Sequence, residues 1–295
     1  VRALAVITLI SAISADAAAD RSSGTAAAAS TVRPSSVDLR IPAGQHSLSC
    51  GRTGHGGLSH AAVLPYRGKG FVIPEPWRSR GLRYGTDDLV GLVKRAAAKV
   101  AKRYPGAMLG VADMAKPYGG PAEFHRSHQS GRDVDLLYYA VDLRGKPLFP
   151  DNHMPLYGRG KKAYRCESPE RRWHIRVRYF DVKTNWAFVE AVLTDPFVTV
   201  ERIFMSNRII GWLLDYAQKT KQPRWLIRRA QHILLRPRDS RAHADHMHLR
   251  IVCPRGDALV GHCIDLEMRR HQAKRALIRE LAKRHVQRWD GRVCR

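Results

Sequence analysis

Five of the fourteen histidines in this 295-residue chain fall into two short clusters, His125-x-x-His128-x6-Asp135 and His243-x-Asp245-His246-x-His248. Imidazole and carboxylate are ligands that zinc favours, and a hydrolytic zinc takes three of them, leaving a fourth position for water. His128, Asp135 and His248 would supply two nitrogens and one oxygen. Water in that fourth position has its pKa lowered towards ~7 and becomes a usable nucleophile. Manganese, cobalt and iron accept the same donors and stay open as alternatives. The competing explanation is structural, a buried His–Asp pair with no ion.

Strand periodicity gives the spacing its meaning. Successive strand residues point to opposite faces, so His246 and His248 project together while Met247 and Leu249 face the core. Asp133 and Asp135 likewise share a face, with Val134 and Leu136 on the other. The turn Gln129-Ser130-Gly131 lets His128 fold back over that strand. Two neighbouring strands could then present His128, Asp135 and His248 to one ion. No H-E-x-x-H is present, so the glutamate base that this motif supplies is missing. His246, on the ligand face, is the candidate base or oxyanion donor. His243 is a second candidate, with a solvated loop histidine as its alternative reading. Asp133 and Asp245 read as acceptors that orient imidazole rings. His125 is either a fourth ligand or a group behind the ligands.

The surrounding pattern supplies elements to carry these residues. Thr86-Asp87-Asp88 is a helix start, with a capping hydroxyl and acids in the first turn. Leu89, Leu92, Val93, Ala96 and Val100 follow at helical spacing until Pro105-Gly106. Strands are predicted over 107–112, 133–139, 197–204 and 246–252, with a further extended run at 70–73. Helices are predicted over 184–193, 209–218, 224–235 and 264–288. Residues 140–178 show no period and read as a long surface loop. Strands and helices do not alternate as βαβ units, which predicts an α+β fold, a small central antiparallel sheet flanked by helices and long loops.

Composition bounds the rest. The chain is 44% hydrophobic, an ordinary value for a globular protein, but 51 Lys+Arg against 26 Asp+Glu give a net charge of +25. That excess suits a polyanionic partner. Arg2, an apolar stretch from Ala3 to Ile13 and Ala15-Asp16-Ala17 read as an export signal over 1–17. An Ala/Ser-rich linker covers 18–45, too poor in large apolar groups to fold. A zinc peptidase domain is expected over 46–265 and a basic helical extension over 266–295. Nothing else approaches the ~20 apolar residues that span a bilayer, so no transmembrane anchor is expected. Cys50, Cys166, Cys253, Cys263 and Cys294 suit an exported protein with one or two disulfides. Cys253 and Cys263 are nearest in sequence, although sequence does not fix pairing.

At these residues the chain resembles the penicillin-insensitive murein endopeptidases, within the wider group of lysostaphin-like, D-Ala-D-Ala and hedgehog-like zinc peptidases. The resemblance is carried by His125-Arg-Ser-His128-Gln-Ser-Gly131-Arg-Asp133-Val-Asp135 and by His243-Ala-Asp-His246-Met-His248-Leu-Arg250, followed by Cys253-Pro254. Gly85-Thr-Asp, Gly119-Gly120 and Phe180-Asp-Val-Lys-Thr-Asn-Trp186 support it. The resemblance implies that His128, Asp135 and His248 hold one zinc ion and that His246 and His243 serve turnover. It implies a small antiparallel sheet flanked by helices. It also implies hydrolysis of the D-alanyl–meso-diaminopimelyl cross-link of peptidoglycan, without a serine for β-lactams to acylate. Loop 140–178 and segment 264–295 look longer or more charged than the family pattern.

The expected partners are therefore peptidoglycan stem peptides, and beyond them other anionic envelope polymers, in a periplasmic or secreted setting. Within the same chemistry, a D,D-carboxypeptidase or an L,D-type murein peptidase is the near alternative. A non-catalytic, zinc-stabilised wall-binding module is the distant one, and His246 and His243 argue against it because a binder needs no proton shuttle. A nucleic-acid partner is not expected: no helix-turn-helix, zinc finger or aromatic-interleaved basic strand is present.

Overall fold

The computed structural model describes residues 46–150, 152–165, 176–238, 243–259 and 263–265, all within one unit, Pro42–Arg295. The export signal, the linker and the C-terminal extension lie outside the described residues. In chain order come β1 (Leu48–Arg52), β2 (His55–Ser59), β3 (Ala62–Val63), β4 (Arg67–Gly68), β5 (Phe71–Val72), α1 (Glu75–Arg78), β6 (Tyr84–Gly85) and α2 (Asp87–Arg103). Then follow β7 (Leu109–Gly110), β8 (Asp133–Leu137), β9 (Ala140–Val141), β10 (Lys162–Arg165), β11 (Arg176–Phe180) and α3 (Val182–Leu193). The described chain closes with β12 (Val200–Phe204), α4 (Asn207–Lys219), α5 (Arg224–Ile233), β13 (Leu234–Leu235), β14 (His246–Ile251) and α6 (Arg255–Leu259). This is an α+β fold of six helices and several small sheets. No described helix is long and apolar enough to cross a membrane.

The sheet that matters runs in the order β13-β12-β14-β8. It is antiparallel except at its edge, where β12 and β13 are parallel. Its register sets Arg250 against Asp133, His248 against Asp135 and His246 against Leu137. Because side chains alternate along each strand, one face gathers His246, His248, Arg250, Asp133 and Asp135. The other face holds Val134, Leu136, Met247 and Leu249, all with no exposed surface. Burial of each such side chain is worth roughly 1.5–3 kcal/mol, so a one-residue slip of register is strongly disfavoured.

Helices cover the apolar face. Thr86 caps α2 by accepting from the Leu89 N–H at 3.2 Å, and Leu89, Leu92, Val93, Ala96 and Val100 form its buried stripe. α3 is capped by Asp181 and buried on nearly every side, including Trp186, Phe188, Val189 and Val192. Its Asn185 side chain accepts from the Tyr139 N–H at 3.1 Å and donates to the Tyr139 carbonyl at 2.8 Å. That amide satisfies the chain just beyond β8, where a strand partner ends. Cys253 and Cys263 are joined by a disulfide that closes the segment after β14.

Several expectations are shifted by long-range pairing. The excursion 140–178 is not wholly a loop: β9, β10 and β11 form a three-stranded sheet in the order β10-β11-β9, with Ala163 fully buried. Lys162, Arg165, Arg176 and Arg178 conceal the strands because each pairs with a partner distant in sequence. The strand foreseen over 107–112 reduces to Leu109–Gly110. Pairing continues as a bridge from Val111 to Leu136, and the Ala112 N–H donates to the Asp135 carbonyl at 2.8 Å. The helix foreseen over 224–235 ends at Ile233, where the chain enters β13 beside β12.

Candidate metal centre

Register alone places His248 opposite Asp135, and the rest of the site depends on irregular chain. His128 has φ +66°, a left-handed backbone conformation rarely adopted by a residue with a side chain. The next turn ends at Gly131, φ +70°, where a Cβ would lie 2.7 Å from Leu58 Cδ1 and 3.1 Å from the Thr86 nitrogen. Only glycine passes there. The segment is held by backbone bonds, Gln129 N–H to the Thr53 carbonyl at 3.0 Å and Thr86 N–H to the Gly131 carbonyl at 2.9 Å. These bonds turn His128 over β8 and onto the polar face of the sheet.

His128, Asp135 and His248 are 1%, 3% and 7% exposed. His128 Nε2 and His248 Nδ1 stand 3.4 and 3.0 Å from Asp135 Oδ1 and 3.3 Å from each other. The far nitrogen of each ring has an acceptor. His128 Nδ1 lies 3.2 Å from the Met114 carbonyl, and His248 Nε2 lies 2.8 Å from Asp133 Oδ1. When those nitrogens carry the protons, two lone pairs and a carboxylate oxygen converge on one buried point. Asp135 Oδ1 is itself buried without a hydrogen-bond partner among the described residues. Such a point requires a positive charge, and the donor set fits a divalent ion. Burial pulls the His248 pKa down, but Asp133 and Asp135 more than offset this and raise it to about 9.

Asp133 anchors the arrangement from behind. It is fully buried and accepts from His248 Nε2, from Arg250 Nε at 2.7 Å and from the His128 N–H at 3.2 Å. Burial disfavours its charge, but Arg250 and His248 hold its carboxyl far below the usual carboxylate range. Asp135 is likewise depressed, against burial, by His128 and His246.

His125 approaches from the other side. Its Nδ1 lies 3.7 Å from Asp135 Oδ2, and its Nε2 lies 2.9 Å from Asp113 Oδ2. His125, His128 and Asp135 form a group whose ligand atoms all fall within 4.8 Å of one another. The triad completed by His248 is tighter, with no pair beyond 3.4 Å. Both triads share His128 and Asp135.

His246 sits on the solvent side of the same oxygen, Nε2 3.6 Å from Asp135 Oδ1. Its Nδ1 is 2.8 Å from Asp245 Oδ1, so the donor role falls to Nδ1 and leaves Nε2 able to accept a proton. Burial lowers its pKa, but Asp135 and then Asp245 raise it above the ordinary histidine value. His243, φ +48°, packs its ring 4.7 Å from that of His246. Its carbonyl accepts from Tyr138 Oη and from the Ser206 N–H, both at 3.1 Å. All the residues singled out by spacing therefore meet at one place.

Asp113 and Arg80 escaped sequence reasoning. Asp113 Oδ2 receives His125 and also Arg80 Nη1 at 2.6 Å. The available signal was an acid between Ala112 and Met114 in an otherwise apolar run, which has to find a buried partner. Arg250 was also readable, since it continues the His246, His248 parity.

Imidazoles and a buried carboxylate converging on the polar face of a small sheet are the ligand chemistry of a metal-dependent peptidase. The sequence profile of the penicillin-insensitive murein endopeptidases matches residues 49–266, and the chain belongs to that metallopeptidase family. It is 27% identical over 218 residues to the penicillin-insensitive murein endopeptidases of two Klebsiella pneumoniae strains, covering 73% of this chain and 70% of each of theirs. A Yersinia enterocolitica protein of the same name is 34% identical over 87 residues, 28% of this chain and 30% of its own.

Proposed function

We propose that this chain hydrolyses peptidoglycan cross-links, cutting the D-alanyl–meso-diaminopimelyl bond at one zinc ion held by His128, Asp135 and His248. The observation that carries this reading is the convergence of His128 Nε2 and His248 Nδ1 on Asp135 Oδ1. A divalent ion bound there supplies a polarising charge and a water of lowered pKa. The chain's own residues do the remaining work. Met114 and Asp133 would fix the two ligand rings, and His125, held by Asp113, would back Asp135 from its Oδ2 side. His246 Nε2 takes a proton from the attacking water and returns it to the leaving amine, while Asp245 keeps its ring oriented. His243, beside it, donates to the oxygen that gains charge.

The setting follows from the same reading. The Cys253–Cys263 disulfide fits a compartment that keeps thiols oxidised, which is where peptidoglycan is met. A net charge of +25 favours approach to carboxylate-rich murein and other anionic envelope polymers. The test is incubation with cross-linked muropeptide dimers, with and without chelator, read by product mass. Monomers that vanish with chelator and return with zinc support the reading. Intact dimers under every metal loading contradict it, and loss of a single terminal alanine would identify a carboxypeptidase instead.

A further inference from the structure

From Tyr216 to Leu235, across the end of α4, the whole of α5 and β13, the chain carries two lysines, three arginines and no acidic residue. Asp215, just before this run, is paired with Lys219 at 2.9 Å. In α5, Arg224, Trp225, Arg228, Arg229 and His232 fall within an arc of about 140° at 3.6 residues per turn, with Trp225 between Arg228 and Arg229. That arc points outward. Arg224, Arg228 and His232 are exposed, Arg229 is half-buried and Trp225 is 57% exposed. The opposite side of the helix belongs to the core, with Leu226 and Ala230 buried and Ile227 and Ile233 packed against it. Among the described residues, the side chains of Arg224, Trp225 and Arg228 have no hydrogen-bond, ion-pair or ring partner.

This face weakens the helix that carries it. Arg224 opens α5, at the positive end of the helix dipole, and Arg228 one turn later repels it. A polyanion relieves both. An anionic bilayer supplies charge but takes up a helix through its apolar side, and here that side is buried in the core, leaving Trp225 alone. A saccharide chain that bears carboxylates fits the whole face. The apolar faces of sugar rings stack on an indole, and carboxylates pair with the guanidinium fork. Trp and Arg are also the side chains that carry most binding energy at interfaces. We infer that the outer face of α5 docks this chain on intact peptidoglycan, with Trp225 against its sugar rings and Arg224 and Arg228 against its stem-peptide carboxylates. No residue of α5 belongs to the metal centre, so docking and cleavage are separable. The identity of the polymer rests on the murein reading above, and the basic, tryptophan-bearing face does not.

Cosedimentation of the full metal-loaded chain with insoluble peptidoglycan sacculi tests the proposal, alongside cleavage of soluble muropeptide dimers. Trp225→Ala, and separately Arg224→Glu combined with Arg228→Glu, should each bind sacculi about tenfold more weakly or worse. Both should keep the parent's kcat and KM on dimers, which also reports that the variants are folded. Lys94→Glu combined with Lys102→Glu, exposed on α2, makes the same charge change elsewhere and should bind sacculi as the parent does. Unchanged sacculus binding in Trp225→Ala or in the α5 double variant overturns the proposal, and so does an equal loss in the α2 variant. Binding to phosphatidylglycerol vesicles that matches the sacculi and is lost in the same α5 variants would assign the face to a membrane instead. Dimer cleavage with sacculus binding insensitive to α5 removes the docking surface and leaves the endopeptidase reading intact. Sacculus binding that depends on α5, without dimer cleavage, does the reverse.

Discussion

The two histidine clusters reach the same carboxylate oxygen by different routes. His246 and His248 are placed by strand parity, in regular backbone, opposite a partner strand whose register is locked by the core. His125 and His128 come from irregular chain, where Phe124 and His128 both have positive φ and the fold is held by single backbone bonds to distant segments. A regular element specifies position through periodicity, so it tolerates change at neighbouring residues. An irregular one specifies position through particular partners, each of which is a point of failure.

Removing a ligand from either cluster tests whether the two are equal at the ion. His128→Ala and His248→Ala should each lose bound metal and lower dimer cleavage by at least the ~10⁴-fold that marks the upper end for losing a proton-transfer group. Metal analysis and rate are read together, and a His128→Ala protein that keeps its ion would remove the first cluster from the centre. The residues behind the ligands give the next effect. Asp133→Asn and Asp113→Asn should each weaken metal affinity or activity by about 10–100-fold. Asp133 should be the more damaging, because it serves His248, His128 and Arg250 at once, and chelator competition ranks the two.

The difference in backbone character gives a smaller and separate prediction. Gly131→Ala should destabilise the fold by about 1–3 kcal/mol through its positive φ and its contacts with Leu58 and Thr86. Denaturant melts check it, and a neutral outcome would show that the first cluster is less constrained than its geometry implies. Met247→Leu, a volume-conserving change under the second cluster, should cost less than ~1.5 kcal/mol.

A site remote from both clusters supplies the smallest effect. Asp195 accepts from Arg95 Nε and Nη2 at 2.7 and 2.9 Å and from the Phe197 and Val198 N–H groups. Burial would raise its pKa, but Arg95 and the Phe197 N–H hold it below the usual value. Its contribution is therefore present above the unfolded value near 3.9 and is lost as pH falls through the lower folded value. Asp195→Asn should cost about 1 kcal/mol at neutral pH, with parent and variant melts converging in acid. A gap that persists at low pH would assign the loss to packing.

The same contrast explains what could be read beforehand. The α+β class, the helix at Thr86–Val100, the faces of β8 and β14 and the Cys253–Cys263 bridge all depend on short-range pattern, which is visible in sequence. The β9-β10-β11 sheet was not, because its strands are basic and pair across many residues. Asp113 and Arg80 were not, because Asp113 meets Arg80 across 33 residues of chain and meets His125 only through the turns between Gly119 and Gly131. The spacing of His128, Asp135 and His248 points to a cluster, and the folded chain adds what holds the far nitrogens of His128 and His248, the Met114 carbonyl and Asp133.

The central claim is a division of labour, with His128, Asp135 and His248 holding the ion and His246 moving the proton. Purified His246→Ala, loaded with zinc and assayed on muropeptide dimers with its metal content measured, tests this most directly. The account predicts about one ion per chain retained and a fall in kcat of roughly 10²–10⁴-fold. Full activity, or loss of the ion, would contradict it.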